Sequence, residues 1–490
     1  TEHVEVPLTL ESGRLPTELA GILYRNGPGQ MVCQGVPYRH LFDGDGMIQR
    51  FEFTGDGVRY TNRMVRSPDF LAEEAAGRML YRSFGTNRPG GIPANALRFH
   101  FKNAGNTAIL PFADTILALW EGGSPYQIDP VTLETGKLWA QDSFLGAKYP
   151  VEKLMGNGRP FSAHPKLSAD GRRIANFRLS PGVRQRLLLH TVPRSGAPAT
   201  THEVILPRLT FIHDFVFTAE DQWVFLDVPV AFHLGRAFLG AASPAESIIG
   251  HPEEPAVIRV YSNTGEAQTA ETDAAYVFHF PNGYADGPDG ASITIDACRM
   301  NAFPAPADVA GLLGSGEIAD PIYAYLTRYK VDMHSGRVST DRITDYPLEL
   351  PQINPHFRGR KHRYVWGVAE KPGRGSPTMV HGIAKVDTGT GEVHYRDFYP
   401  GVVGEPFFVP VAPVECADAA RDEAGPEAAS PGGAPEVAED EGWLLCVSFD
   451  PETRQGGLRI LRAADLEEVA TLRLPEPVHP GFHGAWVPRG

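Results

Sequence analysis

Four histidines in this chain sit in company that suits a ligand better than a surface residue. His483 lies in Pro480-Gly481-Phe482-His483-Gly484-Ala485-Trp486, between aromatic neighbours. His164 lies in Phe161-Ser162-Ala163-His164-Pro165, His213 in Phe211-Ile212-His213-Asp214-Phe215 and His279 in Tyr276-Val277-Phe278-His279-Phe280. Their flanks are apolar or aromatic at strand-like spacing, so each ring is expected to point into an interior where an unpaired imidazole is costly. Neutral imidazole is the commonest metal ligand, and four convergent rings would satisfy one another through a transition metal. Taken singly, any of the 17 histidines reads as an ordinary hydrogen-bonded residue. The set of four is what points to a metal.

Such rings need a rigid frame, and composition indicates which kind. With Gly 52 and Pro 43 in 490 residues, the chain suits many turns and short strands better than long helices. Turn signals recur next to β-prone runs, as in Thr54-Gly55-Asp56-Gly57 before Val58-Arg59-Tyr60 and Thr388-Gly389-Thr390-Gly391 before Val393-His394-Tyr395. Their even spread predicts an all-β fold, a β-propeller, in one domain over residues 1–490. A Trp-Asp repeat of about 40 residues is absent, and about seven blades would take roughly 70 residues each. Long loops should therefore project from one face as a roof over the axis, where function commonly resides.

A formal charge of −14, with no basic run interleaved with aromatics, argues against nucleic acid as a partner. Cys33, Cys298, Cys416 and Cys446 are far apart and form no C-x-x-C pair, so they read as reduced thiols of a cytoplasmic protein. Neither a leader segment nor an apolar run of about 18 residues is visible, and no obligate protein partner is evident. Residues 413–441, rich in Ala, Glu, Asp, Gly and Pro, are expected to form a loop excursion. Residues 228–249 carry Val230, Phe232, Leu234, Phe238, Leu239, Ile248 and Ile249 among small residues. They read as a short helical or loop insertion that either dips into a membrane surface or packs against the roof.

Several further motifs resemble those of the carotenoid cleavage oxygenases. They are Gly21-Ile22-Leu23-Tyr24-Arg25-Asn26-Gly27-Pro28-Gly29, His40-Leu41-Phe42-Asp43-Gly44-Asp45-Gly46-Met47, Leu117-Ala118-Leu119-Trp120-Glu121-Gly122-Gly123, Phe211-Ile212-His213-Asp214-Phe215, Gly404-Glu405-Pro406-Phe407-Phe408-Val409-Pro410 and Phe482-His483-Gly484. They span nearly the whole chain in the family's order. The resemblance implies a seven-bladed β-propeller with one Fe(2+) on its axis, held by His164, His213, His279 and His483. It also implies that Glu121, Glu349 and Glu405 accept the second ring N–H of His213, His279 and His483, leaving His164 without a carboxylate. Such partners fix a ligand's tautomer and raise its basicity. Thr107 matches a family threonine beside the open metal position. One departure follows the third histidine, where His279-Phe280-Pro281-Asn282-Gly283-Tyr284-Ala285-Asp286 has Gly283 in place of Ala and Ala285 in place of an acid.

The implied reaction is cleavage of a conjugated C=C bond of a carotenoid or apocarotenoid, with O2 as cosubstrate, into retinal-type aldehydes. Bacterial apocarotenoid 15,15'-oxygenases are the nearest subgroup in pattern. Phe42, Trp120, Phe211 and Phe278 are candidates for a tunnel wall, since a flat apolar polyene is best held by aromatic faces. Two other functions suit the same fold. One is a stilbene-cleaving dioxygenase for a phenolic substrate, although Trp120 occupies the place where that group tends to carry lysine. The other is an apocarotenoid-binding propeller that does not cleave.

Overall fold

The computed structural model describes residues 1–139, 149, 152–153, 156–180, 184–195, 199–262, 265, 267–287, 290–303, 322–374, 380–411, 438–479 and 481–489. Strands dominate, as the turn-rich sequence predicts. The longest described helix, Pro68–Ala76, starts where the Ser67 hydroxyl accepts the Phe70 amide and stops at Gly77, whose φ of 58° few other residues adopt easily. No described helix is long and apolar enough to cross a membrane.

The strands form a seven-bladed β-propeller. Blade one runs from His3–Pro7 through Gly57–Met64, Asp45–Thr54 and Gly21–Gln30 to Gly484–Pro488 at the axis. Blades two, three and four are four-stranded, with inner strands Ala108–Phe112, Lys166–Leu167 and Val216–Phe217. Blades five and six share the strand Val338–Gln352: its first part is the outer edge of blade five, and beyond a register shift its last part is the inner strand of blade six. Blade seven carries Val402–Val403 and Phe407–Pro410 inside and Thr9–Gly13 outside.

Closure is made twice by strands distant in sequence. Thr9 pairs with Arg473 in blade seven, and Arg25 pairs with Gly484 in blade one. Both pairings remove sheet edges that would otherwise expose unpaired backbone groups. Apolar clusters fill the gaps between neighbouring blades: Phe53, Tyr60, Leu445 and Ile460 between one and seven, and Phe177, Phe215, Phe225 and Tyr261 between three and four. Each such side chain contributes about 2 to 3 kcal/mol by leaving water, so the blades hold one another with little help from linkers.

Two predicted insertions have different outcomes. Residues 228–249 form the ribbon Val230–Phe232 with Ile248–Gly250 and a short helix, Leu234–Phe238, and a ribbon is not what the mixed composition predicts. Its apolar side chains divide: Val230 and Ile248 are buried, while Phe238, Leu239 and Ile249 face outward. Of the expected excursion at 413–441, residues 413–437 lie outside the described residues. Cys33, Cys298 and Cys446 are free and buried.

Candidate metal centre

Every inner strand brings one of the predicted residues to the axis. Thr107 precedes the inner strand of blade two, His164 that of blade three and His213 that of blade four. His279 lies between two short inner strands of blade five, Glu349 on the inner part of Val338–Gln352, Glu405 between the inner strands of blade seven, and His483 just before Gly484–Pro488.

The four imidazoles meet there, with one ligand atom from each lying within 4.8 Å of all the others. That is close to twice a metal–imidazole bond of about 2.1 Å, so one ion suits the space. The rings stand edge to face, with centroids 4.4 Å apart for His164 and His213, 4.5 Å for His164 and His483, and 4.9 Å for His279 and His483.

Three of the rings are held from behind. His279 Nδ1 lies 2.5 Å from Glu349 Oε2, and His483 Nδ1 lies 3.0 Å from Glu405 Oε1. His213 Nδ1 faces Glu121 Oε1 in direct contact. A carboxylate accepts, so the proton sits on Nδ1 and Nε2 presents a bare lone pair to the axis. The carboxylates are themselves fixed: Glu349 Oε2 accepts the Leu350 amide at 2.7 Å, and Glu405 accepts the Gly484 amide at 3.0 Å and Gln352 Nε2 at 2.9 Å.

This donor set fits a cation. His279 Nε2 is buried with no hydrogen-bond partner, and Nε2 of His164 and His213 face each other at 2.9 Å. Such lone pairs are costly without a shared positive centre. Burial, then the neighbouring imidazoles, hold His164 and His279 well below the ordinary histidine pKa. Burial acts on His213 as well, but the Glu121 carboxylate outweighs it and the net shift is upward. Burial raises the Glu349 carboxyl to about 7.

Backbone fit explains the glycines of two motifs. A Cβ on Gly27 would stand 2.5 Å from the Gly481 Cα, and Gly481 has a φ of 80°. Asn26 locks the same junction, exchanging backbone hydrogen bonds with Phe482 and His483 and donating from Nδ2 to Gly105 O and Ala108 O. Thr107 touches this junction too, because its carbonyl accepts the His483 amide at 3.2 Å. Its hydroxyl donates to Asn106 Oδ1 at 3.0 Å. The departure after His279 also has a local reason: a Cβ on Gly283 would meet Val216 Cγ1 at 2.7 Å.

Three of the four tunnel candidates form one aromatic group. Phe278 packs edge-on to His213, Phe42 and Phe211, with centroids 5.3, 6.3 and 6.0 Å away. Trp120 makes no ring contact with this group among the described residues; its ring lies over Gly122, whose Cβ would come within 2.5 Å of it. The sequence did not single out Phe84, Phe303 or His40, which extend the group: Phe84 at 6.4 Å from Phe42, Phe303 at 6.3 Å from Phe211 and His40 at 4.7 Å from Phe42. Phe482, noted only as a neighbour of His483, closes on Phe42 at 5.6 Å.

Comparison with known proteins agrees over the whole chain. The family described as retinal pigment epithelial membrane protein matches residues 1–488. Apocarotenoid-15,15'-oxygenase of Synechocystis is 32% identical over 97% of this chain and 92% of its own length. Isoeugenol monooxygenase of Pseudomonas nitroreducens is 27% identical over 97% of this chain and 94% of its own. The solved structure of cobalt-substituted Synechocystis ACO superposes with a TM-score of 0.85 at 31% identity, covering 98% of this chain and 95% of that one.

Proposed function

This chain belongs to the retinal pigment epithelial membrane protein family, the carotenoid cleavage oxygenases, and from that premise we propose that its axial site holds one Fe(2+) and cleaves an apocarotenoid with O2. It is an oxidoreductase of the dioxygenase class that cleaves a conjugated C=C bond of a carotenoid-type polyene. The observation that carries the iron assignment is the meeting of His164, His213, His279 and His483 within 4.8 Å. Iron(II), when bound, supplies the capacity to activate dioxygen without an organic cosubstrate.

The protein's part is placement. Glu121, Glu349 and Glu405 keep each partner's proton on Nδ1, so that Nε2 stays a donor to the metal. The Thr107 hydroxyl is engaged by Asn106, which suits its methyl for restricting one open position. Phe42, Phe211 and Phe278, joined by Phe84 and Phe303, hold the polyene on their faces and exclude water. Trp120 takes part, on this reading, from beside Glu121, the partner of His213. The whole of 1–490 acts as one propeller domain, supported by blades that close with strands from both ends of the chain.

Substrate reaches the site from a membrane surface. Phe238, at 44% exposure, and Leu239, at 59%, form an outward patch beside the exposed Leu97, whose amide donates to Phe238 O at 2.9 Å. An apolar patch of this kind suits peripheral contact from the cytoplasmic side, and the buried free thiols fit that compartment.

The isoeugenol monooxygenase likeness gives weight to a second reading, a phenolic alkene as substrate. Mass spectrometry of products after aerobic incubation with an all-trans apocarotenal, with isoeugenol and with a hydroxystilbene separates the readings. Two aldehydes from the apocarotenal alone support the first. Cleavage of only a phenolic alkene replaces it with the second, and binding of apocarotenal without products points to a non-cleaving propeller.

A further inference from the structure

We propose that Asp214 is the positioning residue for the imidazoles of blades three, four and five, with Lys166 as its partner on the His164 side. This rests on the metal reading of the four histidines. Among the described residues, His164 is the one of the four axial imidazoles without a carboxylate behind its ring, so something else must set where its strand lies. Asp214 directly follows His213 and is 3% exposed. Its Oδ1 lies 2.7 Å from Lys166 Nζ, two residues beyond His164, and accepts the Phe215 amide at 2.8 Å. Its Oδ2 accepts the Phe280 amide, the residue after His279, at 3.0 Å.

One buried carboxylate therefore ties the inner segments of three blades, each within two residues of an imidazole donor. The three segments belong to different blades, and among the described residues no backbone ladder joins the sheets of blades three, four and five. Without such a tie, the gaps between His164, His213 and His279 would depend on side-chain packing alone. Asp214 uses both oxygens on these strands and gives no hydrogen bond to a ring, so it acts through the backbone that carries the donors. Lys166 is 27% exposed in its side chain and stands 5.9 Å from the Phe215 ring centroid, which steers its ammonium toward Asp214 and leaves room for replacement. The Phe215 and Phe280 amides go on stabilising the Asp214 carboxylate when the partly exposed lysine is removed, so what Lys166 adds is a constraint on strand spacing.

The test uses the full chain reconstituted with cobalt(II), as wild type and as Lys166→Met, Lys166→Arg and Asp214→Asn. Three quantities are read: the rate at which cobalt passes to an excess chelator, its visible absorption bands, and the thermal midpoint of the metal-free protein. Release about tenfold faster in Lys166→Met, and faster still in Asp214→Asn, is expected within the 10–100-fold range of groups that orient ligands. The bands should change in both, Lys166→Arg should behave as wild type, and the metal-free midpoint of Lys166→Met should stay put. A purely structural role would lower that midpoint in step with the faster release. That result, or cobalt held as long in Lys166→Met and Asp214→Asn as in wild type, overturns the proposal. A wild-type chain that takes up no cobalt overturns the metal reading itself, and the proposal with it.

Discussion

Glu405 holds His483 at both its ring and its backbone: Oε1 lies 3.0 Å from Nδ1, and Oε2 accepts the amide of the next residue, Gly484, at 3.0 Å. The glutamate thus sets the tautomer of the imidazole and the path of the chain that carries it. Glu405→Ala should lose metal affinity and turnover by about 10- to 100-fold with the β-rich fold retained. Glu405→Gln should lose less, because its carbonyl oxygen can still accept from Nδ1. Iron titration against a competing chelator, alongside circular dichroism, checks both.

Gly27 and Gly481 stand back to back at the join between the two innermost strands of blade one, Gly21–Gln30 and Gly484–Pro488. A Cβ on Gly27 meets the Gly481 Cα at 2.5 Å, whereas one on Gly55 meets nothing within 4 Å. Gly27→Ala should destabilise the protein by about 1 to 3 kcal/mol, as overpacking does, and weaken metal retention by shifting His483. Gly55→Ala should be neutral within about 0.5 kcal/mol. Denaturant midpoints of the two variants make the comparison.

How far the site could be read from sequence depended on whether a residue's role showed in its own neighbours. The four histidines and Glu405 sit among apolar residues and prolines where a polar group needs a reason, and the glutamates lie in motifs with a family pattern. Phe84 and Phe303 have no such mark. They join Phe42 and Phe211 only because loops from distant blades converge over the axis. Asp214 was visible solely as the flank of His213, and its ties to Lys166 and Phe280 depend on three blades meeting. In the same way, the apolar content of 228–249 was plain, but which side chains turn inward depends on the ribbon pairing of Val230 with Gly250.

Burial, with a smaller push from Arg178, lowers the His190 pKa from 6.5 to about 3, and its Nδ1 pairs with Thr201 Oγ1 at 2.9 Å. The unfolded chain takes up a proton at this residue from about pH 6.5 downward while the folded chain does not. Stability from His190 is therefore whole above that pH and is lost as pH falls toward 3. From pH 6.5 to 5 the loss is about 2 kcal/mol. Urea unfolding at the two pH values should show that slope, and His190→Gln should flatten it.

Phe238 and Leu239 face outward beside Leu97, which is 69% exposed. Replacing both with serine removes apolar area that would otherwise enter the bilayer interface, so co-flotation with phospholipid vesicles should fall at least several-fold at unchanged thermal midpoint. Flotation equal to wild type would assign this patch no part in membrane contact.

The central claim is that four imidazoles from four blades share one iron. Diffraction data collected on either side of the iron absorption edge, from protein reconstituted anaerobically with Fe(2+), test it most directly. One anomalous peak per chain is predicted, about 2.0 to 2.2 Å from a nitrogen of each of His164, His213, His279 and His483. A peak bound elsewhere, or none in crystals of fully reconstituted protein, would contradict it.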